Sequence, residues 1–362
     1  MAFGVYIHIP YCESKCRYCD FYSRGAQHSV PQEYVRAVLR EIRQASACGS
    51  GALRPDTVYF GGGTPSLLAG AQVAEILNAL GAAPDAEITL EANPDTVTQE
   101  TLCAYRSAGV NRLSFGVQTA HDDSLRRIGR LHTAQQSRNA LHMAHKAGFT
   151  NLSGDIMLAL PQYSMQELND TVTLLADGGC THISAYMLKI EPNTAFGRSA
   201  PDGLPDDDAA ADYYLAAAEL LVQKGYGQYE ISNFAQKGCE SRHNLLYWNC
   251  EDYLGIGPAA HSCLQKKRFS MAEDTGAFIA APAAVIPQGE VSVEDYIMLR
   301  LRLTAGLDTA LLRQRYGKTF TPAQWQLLHR LADNGDAVLH GSVLALTPKG
   351  MLIQNAIVCE LI

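Results

Sequence analysis

The stretch YCESKCRYCDFYS, residues 11–23, sets Cys12, Cys16 and Cys19 at C-x3-C-x2-C spacing. Clustering of this kind points to a metal, because cysteines in a reducing compartment seldom form a disulfide framework. A closed zinc site needs a fourth ligand, and Asp20 or His28 could supply it. Iron–sulfur clusters also take thiolates at tight spacing, and three thiolates leave one corner of a cubane uncommitted. FGVYIHI (3–9), just before the loop, reads as a strand, so the cysteines fall at a strand's C-terminal end. Functional residues of α/β proteins gather there. The other seven cysteines (Cys48, Cys103, Cys180, Cys239, Cys250, Cys263 and Cys359) are scattered and read as small buried hydrophobes.

Outward from this loop, short apolar runs alternate with helical periodicity. Residues 31–45 place Tyr34, Val38, Ile42 and Ala45 on one face. Strand-like runs at 57–62, 87–92, 110–118, 151–158 and 181–188 are separated by helical stretches at 70–80, 98–108, 132–148 and 164–179. Capping pairs Thr133 with Gln136 and Ser164 with Glu167 mark two helix starts. A helix over 205–225 opens on acidic residues, as the helix dipole favours. Six strand–helix units with near-continuous apolar strands predict a parallel sheet covered by helices. Periodicity leaves open whether that sheet partly closes into a barrel or stays doubly wound.

The alternation stops after residue 225. Residues 226–270 are rich in Gly, Tyr, Asn and His, and a small, mainly helical region follows. The expected organisation is a core over 1–230, a connecting segment over 231–288 and a C-terminal domain over 289–362.

Of the 362 residues, 47% are apolar and 18% charged, with net charge −8, so a large core needs no staples. The acidic balance argues against nucleic acid and against an anionic membrane surface. MAFGVYIHIP has no basic leader, and the apolar run over 277–286 is too short to span a bilayer. A cytoplasmic protein is expected, meeting a membrane at most through a recipient.

Charges inside apolar strand ends carry the next signals. GGGTPS (61–66) follows the second strand, and its glycines let backbone approach a ligand. Glu91 in LEANPD and Asp155 in GDIML lie within apolar runs, where a carboxylate must be paired. Gln118 ends the fourth strand in SFGVQT, and Arg130 in IGRLH could reach an anionic carboxylate or lie in solvent.

Taken together, YIHIPYCESKCRYCDF and these motifs resemble the radical SAM superfamily. The resemblance implies a partial (β/α)6, TIM-like barrel. It implies a 4Fe–4S cluster on Cys12, Cys16 and Cys19, with the fourth iron chelating S-adenosylmethionine (SAM). By the same resemblance Tyr6 lies against the cluster or SAM, and Gly62, Gly63, Thr64, Glu91, Gln118, Arg130, Asp155 and Met157 line SAM. Gly154 and Ala159 depart from the family's usual residues and put the Met157 contact in question.

YIHIPYC, GGGTPS, LEANPD, SFGVQT and Leu160-Pro161 look like the branch that joins oxygen-independent coproporphyrinogen dehydrogenases (HemN) to heme chaperones (HemW). The dehydrogenase pattern adds a cysteine where this chain has Phe21, and it adds an N-terminal cover before the first strand, which here begins at about residue 3. The segment 242–262 is similar to the chaperones' HN-x2-YW motif and offers His243, Tyr247 and Trp248 for heme; Cys239, Cys250 and His261 are further donors. The expected function is a heme chaperone carrying 4Fe–4S, SAM and heme for delivery to hemoproteins. The alternatives are radical decarboxylation of coproporphyrinogen and a zinc-stabilised binding module.

Overall fold

A computed structural model describes residues 2–48 and 52–362; the side chain of Cys48 also lies outside the described part. In chain order the first half runs β1 (Phe3–Ile9), α1 (Gln32–Cys48), β2 (Thr57–Gly62), α2 (Gly70–Leu80), β3 (Glu87–Ala92) and α3 (Gln99–Ala108). It continues through β4 (Arg112–Gln118), α4 (Asp122–Ile128), α5 (Ala134–Lys146), β5 (Asn151–Leu158), α6 (Met165–Asp177) and β6 (His182–Met187). The periodicity anticipates each of these except α4.

Strands β1 to β6 are parallel and adjacent in sequence order. Val5, Ile7 and Ile9 of β1 are fully buried and share one apolar core with Val35, Val38 and Ile42 of α1. Each such side chain contributes roughly 1.5–3 kcal/mol by leaving water. Strand alternation turns Gly4, Tyr6 and His8 to the other, concave face. A Cβ on Gly4 would lie within 3.1 Å of Leu246, Thr57 and His243 side chains, so that face is packed here too.

Both expected caps form. Thr133 Oγ1 accepts from Gln136 N at 3.2 Å, and Gln136 Oε1 accepts from Thr133 N at 2.8 Å. Ser164 Oγ accepts from Glu167 N at 3.2 Å. The Glu167 carboxylate turns inward instead of closing a capping box, taking bonds from Thr119 Oγ1 at 2.6 Å and Ser124 Oγ at 3.1 Å.

The sheet does not end with six strands. β7 (Gly227–Gln228), β8 (Asn233–Ala235), β9 (Asp252–Ile256), β10 (His261–Leu264), β11 (Lys267–Met271) and β12 (Val285–Glu290) extend it to twelve. β8 and β7 continue beyond β6, while β9 to β12 continue beyond β1. β9 runs parallel to β1 with Gly255 opposite Tyr6, and the further strands pair antiparallel. The concave face therefore reaches well past the six-stranded core.

C-terminal to β12, helices Val293–Arg300, Thr309–Tyr316 and Pro322–Asp333 pack with a small sheet of Leu307–Asp308, Val343–Leu346 and Ala337–His340. Among the described residues no helix is long and apolar enough to cross a membrane. Two cysteines expected inside are exposed, Cys103 and Cys359. Their helices bury Leu102 and Tyr105, or Ile357, Val358 and Leu361, and so turn these cysteines to solvent.

Gly255 is where β9 meets β10 most closely. A Cβ there would stand 2.2 Å from the His261 carbonyl oxygen, which is backbone and cannot swing away. Gly255→Ala is predicted to cost about 1–3 kcal/mol of stability, read by urea denaturation. An unchanged midpoint would contradict this close pairing.

Candidate functional site

The cysteine loop leaves β1 at Pro10 and is folded on itself by backbone bonds: Cys12 N to Arg24 O at 2.9 Å, Gln27 N to Cys12 O at 3.0 Å, and Cys19 N to Cys16 O at 3.3 Å. It is tied to the glycine segment after β2 by Gly63 N to Ile9 O and Thr64 N to Tyr11 O, both 2.8 Å. Gly62 has φ +111, and its Cβ would strike the His8 ring at 2.5 Å. A Cβ on Gly63 would press on the Tyr11 and Ile9 carbonyl oxygens at 2.7 and 2.8 Å. Both positions require glycine.

Beneath the loop lies a cavity of about 550 Å3. Cys12, Cys16 and Cys19 line it, unbridged, together with Gly62, Gly63 and Thr64. Glu91, Gln118, Arg130, Asp155 and Met157 line it as well, so eight of the nine residues assigned to SAM and all three cysteines meet in one place. Met157 reaches the cavity even though the next residue but one, Ala159, holds a left-handed φ of +58. Gln118 also has positive φ, +65, at a register break between β4 and β5 that aims its side chain inward.

Glu91 Oε1 accepts from Tyr59 OH at 2.8 Å, and Oε2 from Gly62 N at 3.2 Å. Burial, reinforced by the nearby Asp155 charge, pushes its carboxyl up to about 7. Burial also raises Asp155, against hydrogen bonds from Ser184 and Ser114, the latter at 3.2 Å to Oδ1. Arg130 donates to Cys16 Sγ at 3.4 Å, to Asn93 Oδ1 at 3.0 Å and to the Gly116 carbonyl. Its burial would lower the guanidinium pKa, but Tyr18 and Cys16 outweigh that and keep it charged.

The donor set fits an iron–sulfur cluster better than zinc. Among the described residues no three His, Cys, Asp or Glu donors converge where one ion could sit. His28 is turned to solvent and bonds Glu13 Oε1 at 3.3 Å, away from the thiols. Burial pushes the Cys19 thiol up to about 11, and Cys16 and Cys12 add to the rise. Three thiols around one cavity, an unpaired buried Arg130 Nε and a glycine cradle suit a cluster with a ligand beside it.

The Radical SAM superfamily profile matches residues 6–175, and the HemN C-terminal domain profile matches 289–353. The heme chaperone HemW of Bacillus subtilis (strain 168) is 34% identical, the match covering 98% of this chain and 97% of that one. The HemW of Escherichia coli (strain K12) is 42% identical over 263 residues, 71% of this chain and 69% of that one. The chain belongs to the HemW family. The solved structure of the radical SAM enzyme coproporphyrinogen III oxidase (HemN) from Escherichia coli shares the fold, with TM-score 0.83 at 22% identity over 99% of this chain and 89% of that one.

A second cavity, of about 590 Å3, lies on the concave face beside β1, β9, β10 and β11. Tyr247 and Trp248 line it; His243 does not. His243 is wholly buried, with Nδ1 2.7 Å from Thr57 Oγ1 and Nε2 2.7 Å from Tyr247 OH. Burial lowers its pKa to about 3, so the ring is neutral. The motif histidine, expected to present a donor for heme, thus anchors helix Arg242–Trp248 to β2 with both ring nitrogens engaged. Tyr6, expected against the cluster or SAM, lines the second cavity. Its hydroxyl meets His8 Nδ1 at 3.0 Å, and His8 Nε2 meets the Tyr22 carbonyl at 2.8 Å, so His8 links Tyr6 to the cysteine loop.

Asn93 and Ser114 are cavity residues the sequence reading passed over. Asn93 holds both Arg130 and Thr64 Oγ1, the latter at 3.2 Å. The period-2 rule carries the signal: Asn93 follows Glu91 by two, and Ser114 and Gly116 precede Gln118 by four and two.

A carboxyl that titrates near 7 when folded, against an ordinary 4.5, keeps its proton longer in the folded than in the unfolded protein. Its stabilising contribution is present in acid and lost as pH rises toward 7. In the ligand-free protein, Glu91→Gln is predicted to flatten the fall of the urea midpoint between about pH 4.5 and about pH 7. An unaltered slope would contradict the buried carboxyl.

Proposed function

We propose that this protein is a cytoplasmic heme chaperone that carries a 4Fe–4S cluster, SAM and heme, and delivers heme to hemoproteins. The carrying observation is the likeness to HemW proteins along nearly the full length of both chains. Cys12, Cys16 and Cys19 would hold the cluster. Gly62, Gly63, Thr64, Glu91, Gln118, Arg130, Asp155 and Met157 would hold SAM. When bound, the cluster supplies an iron that no cysteine of the loop occupies, open to a chelating ligand.

The chain's own residues prepare that place. Gly62–Thr64 bring backbone to the cavity wall without side-chain bulk, which suits a SAM amino acid moiety. The Glu91 carboxyl, poised near neutrality, can accept or donate a hydrogen bond. Arg130 sets a fixed positive charge 3.4 Å from Cys16 Sγ, where it would complement a thiolate-ligated cluster.

Radical decarboxylation of coproporphyrinogen is the second reading, favoured by the shared fold with HemN. Phe21 weighs against it, because that enzyme's pattern has cysteine there. In this chain Phe21 is 68% exposed and lines both cavities.

The protein reconstituted anaerobically is predicted to bind iron and sulfide near four each, to take up hemin stoichiometrically, and to leave coproporphyrinogen III unconverted when given SAM and a reductant. Formation of protoporphyrinogen would overturn the chaperone reading, and so would absence of hemin binding. Cys16→Ala is expected to abolish the cluster absorbance while far-UV circular dichroism stays native.

A further inference from the structure

We propose that the second cavity is the heme site and that His261, rather than His243, supplies the axial nitrogen, an inference that rests on the heme-carrying reading above. The histidines around the cavity differ in what their ring nitrogens already do. Both nitrogens of His243 are engaged, by Thr57 and Tyr247. Both nitrogens of His8 are engaged as well, by Tyr6 and the Tyr22 carbonyl.

His261 is exposed and lines the cavity. Its Nδ1 faces Gln288 Oε1 at 3.1 Å. Gln288 Nε2 donates to Ser270 Oγ at 3.1 Å, which turns the amide oxygen toward the ring. Nδ1 therefore carries the proton, and Nε2 keeps its lone pair. That tautomer ligates metals, and an outer oxygen acceptor on the other ring nitrogen orients the ring. The same wall holds Cys250 and Cys263, but burial raises both thiols, Cys250 to about 12. Neither offers a thiolate near neutral pH.

The remaining walls suit a flat macrocycle. Tyr247 and Tyr253 meet edge to face at 4.5 Å, and both line the cavity together with Trp248. Trp248 Nε1 and Arg268 Nε are buried without a hydrogen-bond partner among the described residues. Unpaired buried donors at a cavity wall mark the place of an absent acceptor, which heme propionates would provide. Of the acidic liners, Asp295 is already paired with Arg268 Nη1 at 3.0 Å, which leaves Asp20 and Glu273 on the wall. The volume falls within the range of small-molecule sites. Because Asp20 and Phe21 line both cavities, heme here would rest against the loop that follows Cys19.

The test is hemin titration of the full-length, cluster-reconstituted protein, followed by absorbance and electron paramagnetic resonance. His261→Ala is expected to lose the imidazole-ligated heme signature, and added free imidazole to restore it. Gln288→Leu should weaken hemin binding about 10–100-fold. His243→Ala, with its fold checked by circular dichroism, should keep the wild-type signature. The proposal is overturned if His261→Ala keeps the wild-type spectrum, or if folded His243→Ala alone loses it. Failure of the wild type to bind hemin at all would instead remove the heme-carrying reading itself.

Discussion

Two backbone hydrogen bonds hold this molecule's chemistry in place: Gly63 N to Ile9 O and Thr64 N to Tyr11 O. They fasten the exit of β1 to the exit of β2, so the cysteine loop cannot move independently of the glycine segment. Nothing larger than glycine fits at residue 63, because the atoms it would meet are backbone carbonyls. Parallel register then carries the arrangement across the sheet: Glu91 stands opposite Ser114 on β4, and Asp155 opposite Ser184 on β6. A loop, a turn and four strand ends thereby enclose one cavity.

That cavity is held by polar groups that would be costly if unmatched. Burial raises the proton affinity of both Glu91 and Asp155, the Asp155 charge adds to the rise at Glu91, and buried Arg112 offsets both charges. Tyr59, Ser114 and the Gly62 amide supply the hydrogen bonds that a buried carboxylate needs. Around the corner of the same sheet, Tyr6, His8 and Tyr22 form a hydrogen-bonded chain that lines the second cavity. Among the described residues, the two spaces share the tip of the cysteine loop, Asp20 and Phe21.

The first six strands were legible because each is a buried apolar run bounded by glycine or a helix cap. The cavity residues were legible for a related reason: a charge such as Asp155 inside NLSGDIML has no bland place in a parallel strand. The strands β7 to β12 were not legible. They are two to six residues long, and β9, DYLGI, carries a glycine required by its contact with the His261 carbonyl, not by any turn. β12 lies exposed along its whole length at the sheet edge, so it shows no burial pattern. The surroundings of His243 were not legible from spacing either. A histidine beside aromatics reads as a donor, yet the same aromatics and Thr57 can saturate its ring, and here they do. Which histidine keeps a free nitrogen is decided by tertiary packing that no spacing reveals.

The central claim is that Cys12, Cys16 and Cys19 hold a cluster whose fourth corner faces the cavity lined by Gly62–Thr64 and Glu91. Pulsed electron paramagnetic resonance of the reduced, reconstituted protein with SAM labelled by 15N at its amino group and 17O at its carboxylate tests it most directly. The account predicts hyperfine coupling of both labels to the cluster, lost in Gly63→Val. A cluster signal that SAM leaves unchanged would contradict it.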